Sequence, residues 1–206
     1  MTQSTSPDYR EIYNQVIRDN DNYNRAENSP GFLNCVQATK RLQMLGGKSL
    51  DVGCGVGFVC QFLSQKPFYY DVHGVDVSDE AIERSKNRMP ALVKRNPDAF
   101  RRIEGCRLPF EDACFSLVTC FDVMEHLDVA DIELLIGEIN RVTRPGGTFF
   151  GSVSCREAGS TDINGDNLHR TVQSIDWWVD RVKPDEAIFE SHTSQLSLWK
   201  RRLRDG

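Results

Sequence analysis

Lys48-Ser-Leu-Asp-Val-Gly-Cys-Gly-Val-Gly57 decides how this chain folds. Leu50 and Val52 end an apolar run of strand character. Gly53, Gly55 and Gly57 follow at alternate positions, and Phe58 to Ser64 reads as a helix. A strand that feeds a glycine turn and then a helix is a device for holding a nucleotide. Glycine reaches positive φ and lets a ligand approach the backbone, and the helix that follows offers its free N–H groups. The spacing narrows the guest. The dinucleotide fingerprint is G-x-G-x-x-G, whereas these glycines run G-x-G-x-G and Phe58 stands at the dinucleotide position. A pyrophosphate, and with it a nicotinamide reductase, is disfavoured.

Two acids refine the ligand. Asp51 stands just before the turn, placed to meet an ammonium group. Asp76 closes Val72-His-Gly-Val-Asp76, 19 residues after Gly57. There a doubly wound sheet puts the carboxylate that accepts both hydroxyls of a ribose. The expected ligand is an adenosine with a positively charged amino-acid arm and no phosphate.

These stretches resemble the class I S-adenosylmethionine-dependent methyltransferases. Asp51-Val-Gly-Cys-Gly-Val-Gly57 matches their glycine motif, Gly74-Val-Asp-Val-Ser78 their second motif, and Arg144-Pro-Gly-Gly147 their late proline-glycine turn. The resemblance covers roughly residues 45 to 155. It implies an α/β fold with a doubly wound, mostly parallel seven-stranded sheet and a C-terminal hairpin whose final strand is antiparallel. It implies S-adenosylmethionine as cofactor. Asp51 would hold the methionine ammonium, directly or through water. The backbone of Gly53, Cys54 and Gly55 would contact the ligand, Asp76 the ribose, and Val77 the adenine. Glu104-Gly-Cys-Arg-Leu-Pro-Phe110 resembles the family segment whose acid meets the adenine amino group. Counting back from Leu108 gives that place to Glu104; aligning on Gly105 gives it to Cys106. Both registers stay open, and Cys120 is counted with the cofactor contacts.

Cys120-Phe-Asp-Val-Met-Glu-His-Leu127 follows the expected fourth strand, at the carboxyl edge where open α/β sheets bind ligands. It resembles the Glu-x-x-Glu-His segment of ubiquinone-biosynthesis O-methyltransferases and small-RNA 2′-O-methyltransferases, with Asp122 replacing the first Glu. In the metal-using members the acids and His, with a later His, hold a magnesium-class cation. Asp122, Glu125, His126 and His169 are the counterparts here. Carboxylates at i and i+3 with His at i+4 share one helical face. In other members the His lines the cofactor pocket without a metal, and that metal-free reading is the expectation here, with the metal set as its alternative.

A hydroxyl acceptor needs a base or a metal to take its proton, and His126 and His169 are the candidates. The expected activity is methyl transfer to a small-molecule acceptor, with oxygen favoured over nitrogen or sulfur. The alternatives are a metal-assisted RNA ribose methyltransferase and a silent S-adenosylmethionine-binding module. The formal net charge of -5 counts against a nucleic-acid partner. Asp162-Ile-Asn-Gly-Asp-Asn-Leu-His169 would cover the acceptor, and Trp177 is a candidate acceptor wall.

Residues 1–45 are expected as a helical cap over cofactor and acceptor, or in their first part as a loosely docked tail, and residues 46–206 as the cofactor-binding domain. Tyr9, Tyr13, Val16 and Ile17 have helical spacing, and Phe32, Val36, Leu42 and Leu45 suit a second helix ended by Gly46-Gly47. Met89 to Pro97, with two prolines, is expected as a connection. Ile132, Leu135, Ile136, Ile139 and Val142 form one stripe of a helix stopped by Pro145-Gly-Gly147. Thr148 to Ser154 is then the fifth strand. Seven cysteines without any C-x-x-C pair indicate neither zinc knuckle nor disulfide framework. With no apolar run long enough to span a membrane and no leader pattern in Met1–Pro7, a reducing, cytoplasmic setting is expected. The oligomeric state is not legible.

Overall fold

The computed structural model describes residues 8–43, 46–65 and 71–202. Leu45 of the expected second helix lies outside them. The strands are β1 (Lys48–Val52), β2 (Asp71–Asp76), β3 (Phe100–Arg102), β4 (Phe115–Phe121), β5 (Thr143–Ser154), β6 (Glu186–Glu190) and β7 (Gln195–Arg201). They form one seven-stranded sheet in the order β3-β2-β1-β4-β5-β7-β6. Strands β1 to β5 pair in parallel, and β7 runs antiparallel to both β5 and β6. This is the doubly wound sheet with a closing hairpin that the sequence led us to expect.

Eight helices among the described residues flank it: α1 (Tyr9–Asp19), α2 (Pro30–Gln37), α3 (Thr39–Gln43), α4 (Phe58–Ser64), α5 (Asp79–Arg88), α6 (Pro90–Arg95), α7 (Val129–Val142) and α8 (Ile175–Val182). On one face of the sheet Leu50, Val52, Val118 and Phe149 pack against Ile132, Leu135, Ile139 and Val142 of α7 and Trp178 of α8. On the other, Leu117, Phe121 and Phe150 pack against Val59 and Leu63 of α4 and Cys35 and Leu42 of α2 and α3. Each fully buried aliphatic side chain contributes about 1.5–3 kcal/mol, which is why the central strands are apolar on both faces. None of the described helices is long and apolar enough to cross a membrane, and all seven cysteines are free thiols.

Three local expectations change. Residues 90–95 form a helix, because Pro90 sits at its first position, where no N–H is needed, and Leu92 is buried beneath. The second N-terminal helix is two: the chain turns at Ala38, and Cys35 and Leu42 face the core while Val36 stays exposed. Helix α7 ends at Val142, ahead of the proline, and Arg144-Pro-Gly-Gly147 runs inside β5. Gly146 N–H donates to Arg202 C=O and Arg202 N–H to Gly147 C=O, so the segment's polar backbone is paired with the chain after β7.

The sheet order reverses between β1 and β4. The connection from β1 leads outward to β2 on one side, while β4 and β5 extend the other. Such a switch point opens a crevice beyond the carboxyl ends of the strands.

Candidate active site

The glycine turn opens from β1 into that crevice. Gly53 and Cys54 both donate their N–H to Val75 C=O, at 2.8 and 2.9 Å, tying the turn to β2. Gly53 has φ +69°, and a Cβ there would come within 2.2 Å of Val123 Cγ2. Both constraints select glycine. Asp76 then fixes the far side of the turn: its Oδ2 accepts from Gly55 N–H at 2.9 Å and its Oδ1 from Ser78 N–H at 2.9 Å. Each carboxylate oxygen keeps a second lone pair for a ligand hydroxyl. Ser78 itself caps α5 by accepting from Ala81 N–H.

Asp51 lies on β1 opposite Thr119 of β4, and the parallel register brings Thr119 Oγ1 within 2.7 Å of Asp51 Oδ1. The other oxygen, Oδ2, has a thiol for neighbour, Cys60 Sγ at 4.0 Å. Burial pushes the Asp51 carboxyl up to about 7, and the charge of Asp76 adds to it.

Asp51, Gly53, Cys54, Gly55, Asp76 and Val77 line one cavity of about 640 Å³, a volume ordinary for a small-molecule site. Helix α1 lies across its rim. The Tyr9 hydroxyl donates to Asp131 Oδ2 at 3.0 Å and accepts from Asp128 N–H at 3.1 Å. Arg10 pairs with Asp79 at 2.6 Å, and the Ser78 hydroxyl donates to Asn14 Oδ1 at 2.8 Å. One helix thus joins the amino ends of α5 and α7, and Tyr13 and Ile17 face the cavity from it.

Beyond β3 the chain turns at Gly105. Gly105 and Cys106 line the cavity. Glu104 does not: its side chain is 83% exposed and pairs with Arg102 at 2.9 Å. Of the two registers left open, Cys106 lines the cavity and Glu104 does not. Cys120 is a second correction. It is fully buried in the core under α7 and lies off the cavity wall. Trp177 is a third, since it packs beneath the Arg181 guanidinium at 3.6 Å, away from the cavity, while Trp178 fills the core. Burial raises the Cys106 thiol to about 12, and the Cys60 thiol and burial raise that of Cys54.

The opposite wall comes from the stretch after β4. Glu125, His126 and His169 each offer a ligand atom within 4.8 Å of one another. The Nδ1 of His126 lies 2.9 Å from Leu168 C=O, and the Nδ1 of His169 lies 2.5 Å from Arg156 C=O. A carbonyl only accepts, so both Nδ1 atoms carry a proton, and in a neutral ring Nε2 is then the acceptor. Burial lowers His126 to about 4 and keeps its ring neutral. Glu125 Oε1 accepts from Ser154 N–H at 2.8 Å. Asp122 is not on a shared helical face with them. It sits at φ +52°, ahead of a single turn over Met124–His126. Its Oδ1 accepts from the Ser152 hydroxyl at 2.9 Å and from the Gln195 amide. Asp122 lines the cavity beside the cluster and is outside it.

Sequence reasoning missed Tyr13, Tyr23, Arg156 and Gln195 as cavity residues. The tyrosines carried a signal, aromatic residues in an otherwise polar leader; Gln195 carried none, because it reaches Asp122 across 73 positions of chain.

The donor set fits a nucleoside with an ammonium arm. A carboxylate braced at the ribose place, a second before the turn whose Oδ2 has only a thiol for partner, and the absence of Lys and Arg from the described residues of the glycine turn all match that charge. A methyltransferase-domain family model matches residues 50–151. The chain belongs to the class I S-adenosylmethionine-dependent methyltransferases. This methyltransferase is 31% identical to the mitochondrial ubiquinone biosynthesis O-methyltransferase of Candida albicans over 124 residues, 57% of this chain and 37% of that protein. It is 32% identical to the ajmaline N-methyltransferase of Rauvolfia serpentina over 103 residues, 49% of this chain and 34% of that one. The chain thus spans well under half the length of these curated relatives. A crystal structure of an S-adenosylmethionine-dependent methyltransferase from Aquifex aeolicus superposes with a TM-score of 0.65 at 15% identity, covering 92% of this methyltransferase and 98% of that chain.

Proposed function

We propose that this methyltransferase moves the methyl group of S-adenosylmethionine to a hydroxyl of a small-molecule acceptor. The observation that carries the acceptor half of this reading is the pair of imidazoles, each anchored through Nδ1 to a backbone carbonyl, on the wall of the same cavity. The sulfonium methyl is already activated, so the protein's work is to align donor and acceptor and to take the hydroxyl proton. Asp51 and Asp76 hold the amino-acid arm and the ribose, and Gly105 and Cys106 border the adenine. His126, kept neutral, accepts the hydrogen bond of the acceptor hydroxyl, and half-buried His169 at the mouth passes the proton to solvent. Residues 1–45 act as the cap, a role supported by the polar ties of α1 to α5 and α7.

The test is calorimetric titration with S-adenosylmethionine and S-adenosylhomocysteine on wild type and Asp76→Ala, followed by transfer of labelled methyl to an acceptor panel. Tight binding lost in the variant, with turnover lost in His169→Ala, is expected. Cofactor binding without turnover on any acceptor would leave the silent module as the better reading.

A further inference from the structure

Resting on that reading of the cavity as a methyl-transfer site, we propose that the acceptor carries a protonated amine, held against the carboxylates of Asp122 and Glu125. Both side chains use one oxygen and leave the other without a partner: Asp122 Oδ2 and Glu125 Oε2 are buried and accept from no described group. A buried carboxylate oxygen with no donor is costly, so the occupant must bring donors. Two buried carboxylate oxygens without donors, on residues that line one cavity, call for a group with several N–H bonds and a positive charge, and an ammonium has three.

The charge of the wall points the same way. Among the described residues that line the cavity, the acids are Glu27, Asp51, Asp76, Asp122, Glu125 and Glu190, and the guanidinium of Arg156 stands alone against them. Asp51 and Asp76 belong to the cofactor, which leaves four acids around the acceptor. A carboxylate or phosphate on the acceptor meets like charge at close range, which is discrimination by repulsion. Tyr13 and Tyr23 add aromatic surface to the same half, suited to a cation. A nucleic-acid acceptor, with its phosphates, is the partner this wall rejects most strongly.

Three probes share a phenol and a two-carbon arm and differ in the end group: tyramine, tyrosol and 3-(4-hydroxyphenyl)propanoate. Each is titrated calorimetrically into the whole chain loaded with S-adenosylhomocysteine, at neutral pH with a chelator present. Tyramine is expected to bind about tenfold or more tighter than tyrosol, and the propanoate weakest. Asp122→Asn and Glu125→Gln keep the bonds to Ser152 and Ser154 and remove the ionisable group that an ammonium would hold in its charged form. Each should erase most of the preference while S-adenosylhomocysteine affinity and melting temperature hold. Equal binding of the three, undetectable tyramine binding, or a preference that survives both variants overturns the proposal. So does magnesium, added without chelator, if it displaces tyramine through the same two carboxylates, since the cation of the site is then a metal. Failure of S-adenosylhomocysteine to bind wild type appears before any probe is added, and overturns the methyl-transfer reading with it.

Discussion

The two halves of the cavity are finished to different degrees. In the cofactor half every charged group is tied into the sheet: Asp76 accepts two backbone N–H bonds, and Asp51 is held by Thr119 of the neighbouring strand. In the acceptor half Asp122 and Glu125 each keep an oxygen without a partner, and the imidazoles are oriented through Nδ1 with Nε2 left over. The first half holds its shape through its own hydrogen bonds. The second is not closed by its own hydrogen bonds. A shared sheet with one constant and one adaptable half is how a single fold serves many acceptors.

The contrast breaks most sharply in turnover. Replacing His169 by Ala should cut methyl transfer by about 10²–10⁴ and leave S-adenosylhomocysteine binding unchanged in calorimetry. If cofactor binding fell in step with rate, the halves would not be separable. The reverse pattern is expected at Asp76→Asn. Loss of a charge-assisted partner for two amides and for the ribose should weaken S-adenosylhomocysteine about 100-fold, measured by the same titration, while any residual turnover at saturation stays near wild type.

Asp51 sharpens the cofactor half through pH. With burial holding its carboxyl at about 7, the unliganded folded protein carries a proton there that the unfolded chain releases near the ordinary carboxylate value. This contribution to stability therefore falls as pH rises from about 4 to about 7 and is level above. An ammonium ligand favours the ionised form. Affinity for S-adenosylhomocysteine should rise with pH toward about 7, by up to about tenfold per unit below it, and Asp51→Asn should flatten that rise. The smallest effect is expected at the rim. Tyr9→Phe removes the bonds to Asp131 and Asp128 and should cost about 1 kcal/mol in a denaturant melt, with both halves otherwise intact.

What the sequence made legible follows the same division. The glycine turn, Asp51 and Asp76 were readable because strand, turn and acid lie close together along the chain and their roles are set by backbone geometry. Helix α7 was readable from its stripe. The register after β3 was not, because Glu104 and Cys106 differ only in which side of the turn at Gly105 they face. The partition of Asp122 from Glu125 was not, because it depends on a left-handed residue and on Gln195 arriving from the last hairpin. Trp177 and Trp178 lie one step apart on α8, yet Trp178 is fully buried and Trp177 only partly so.

The thiols that border the cofactor half carry one more consequence. A sulfonium methyl donor beside two cysteines is a standing risk of the protein alkylating itself, since a thiolate is a far better nucleophile than a hydroxyl. Cys54 and Cys106 both line the cavity. With Cys106 raised to about 12 by burial, its thiolate is scarce at neutral pH. The same apolar packing that shapes the pocket thus keeps its sulfur inert, and lets the donor wait for its proper acceptor without being spent on the wall.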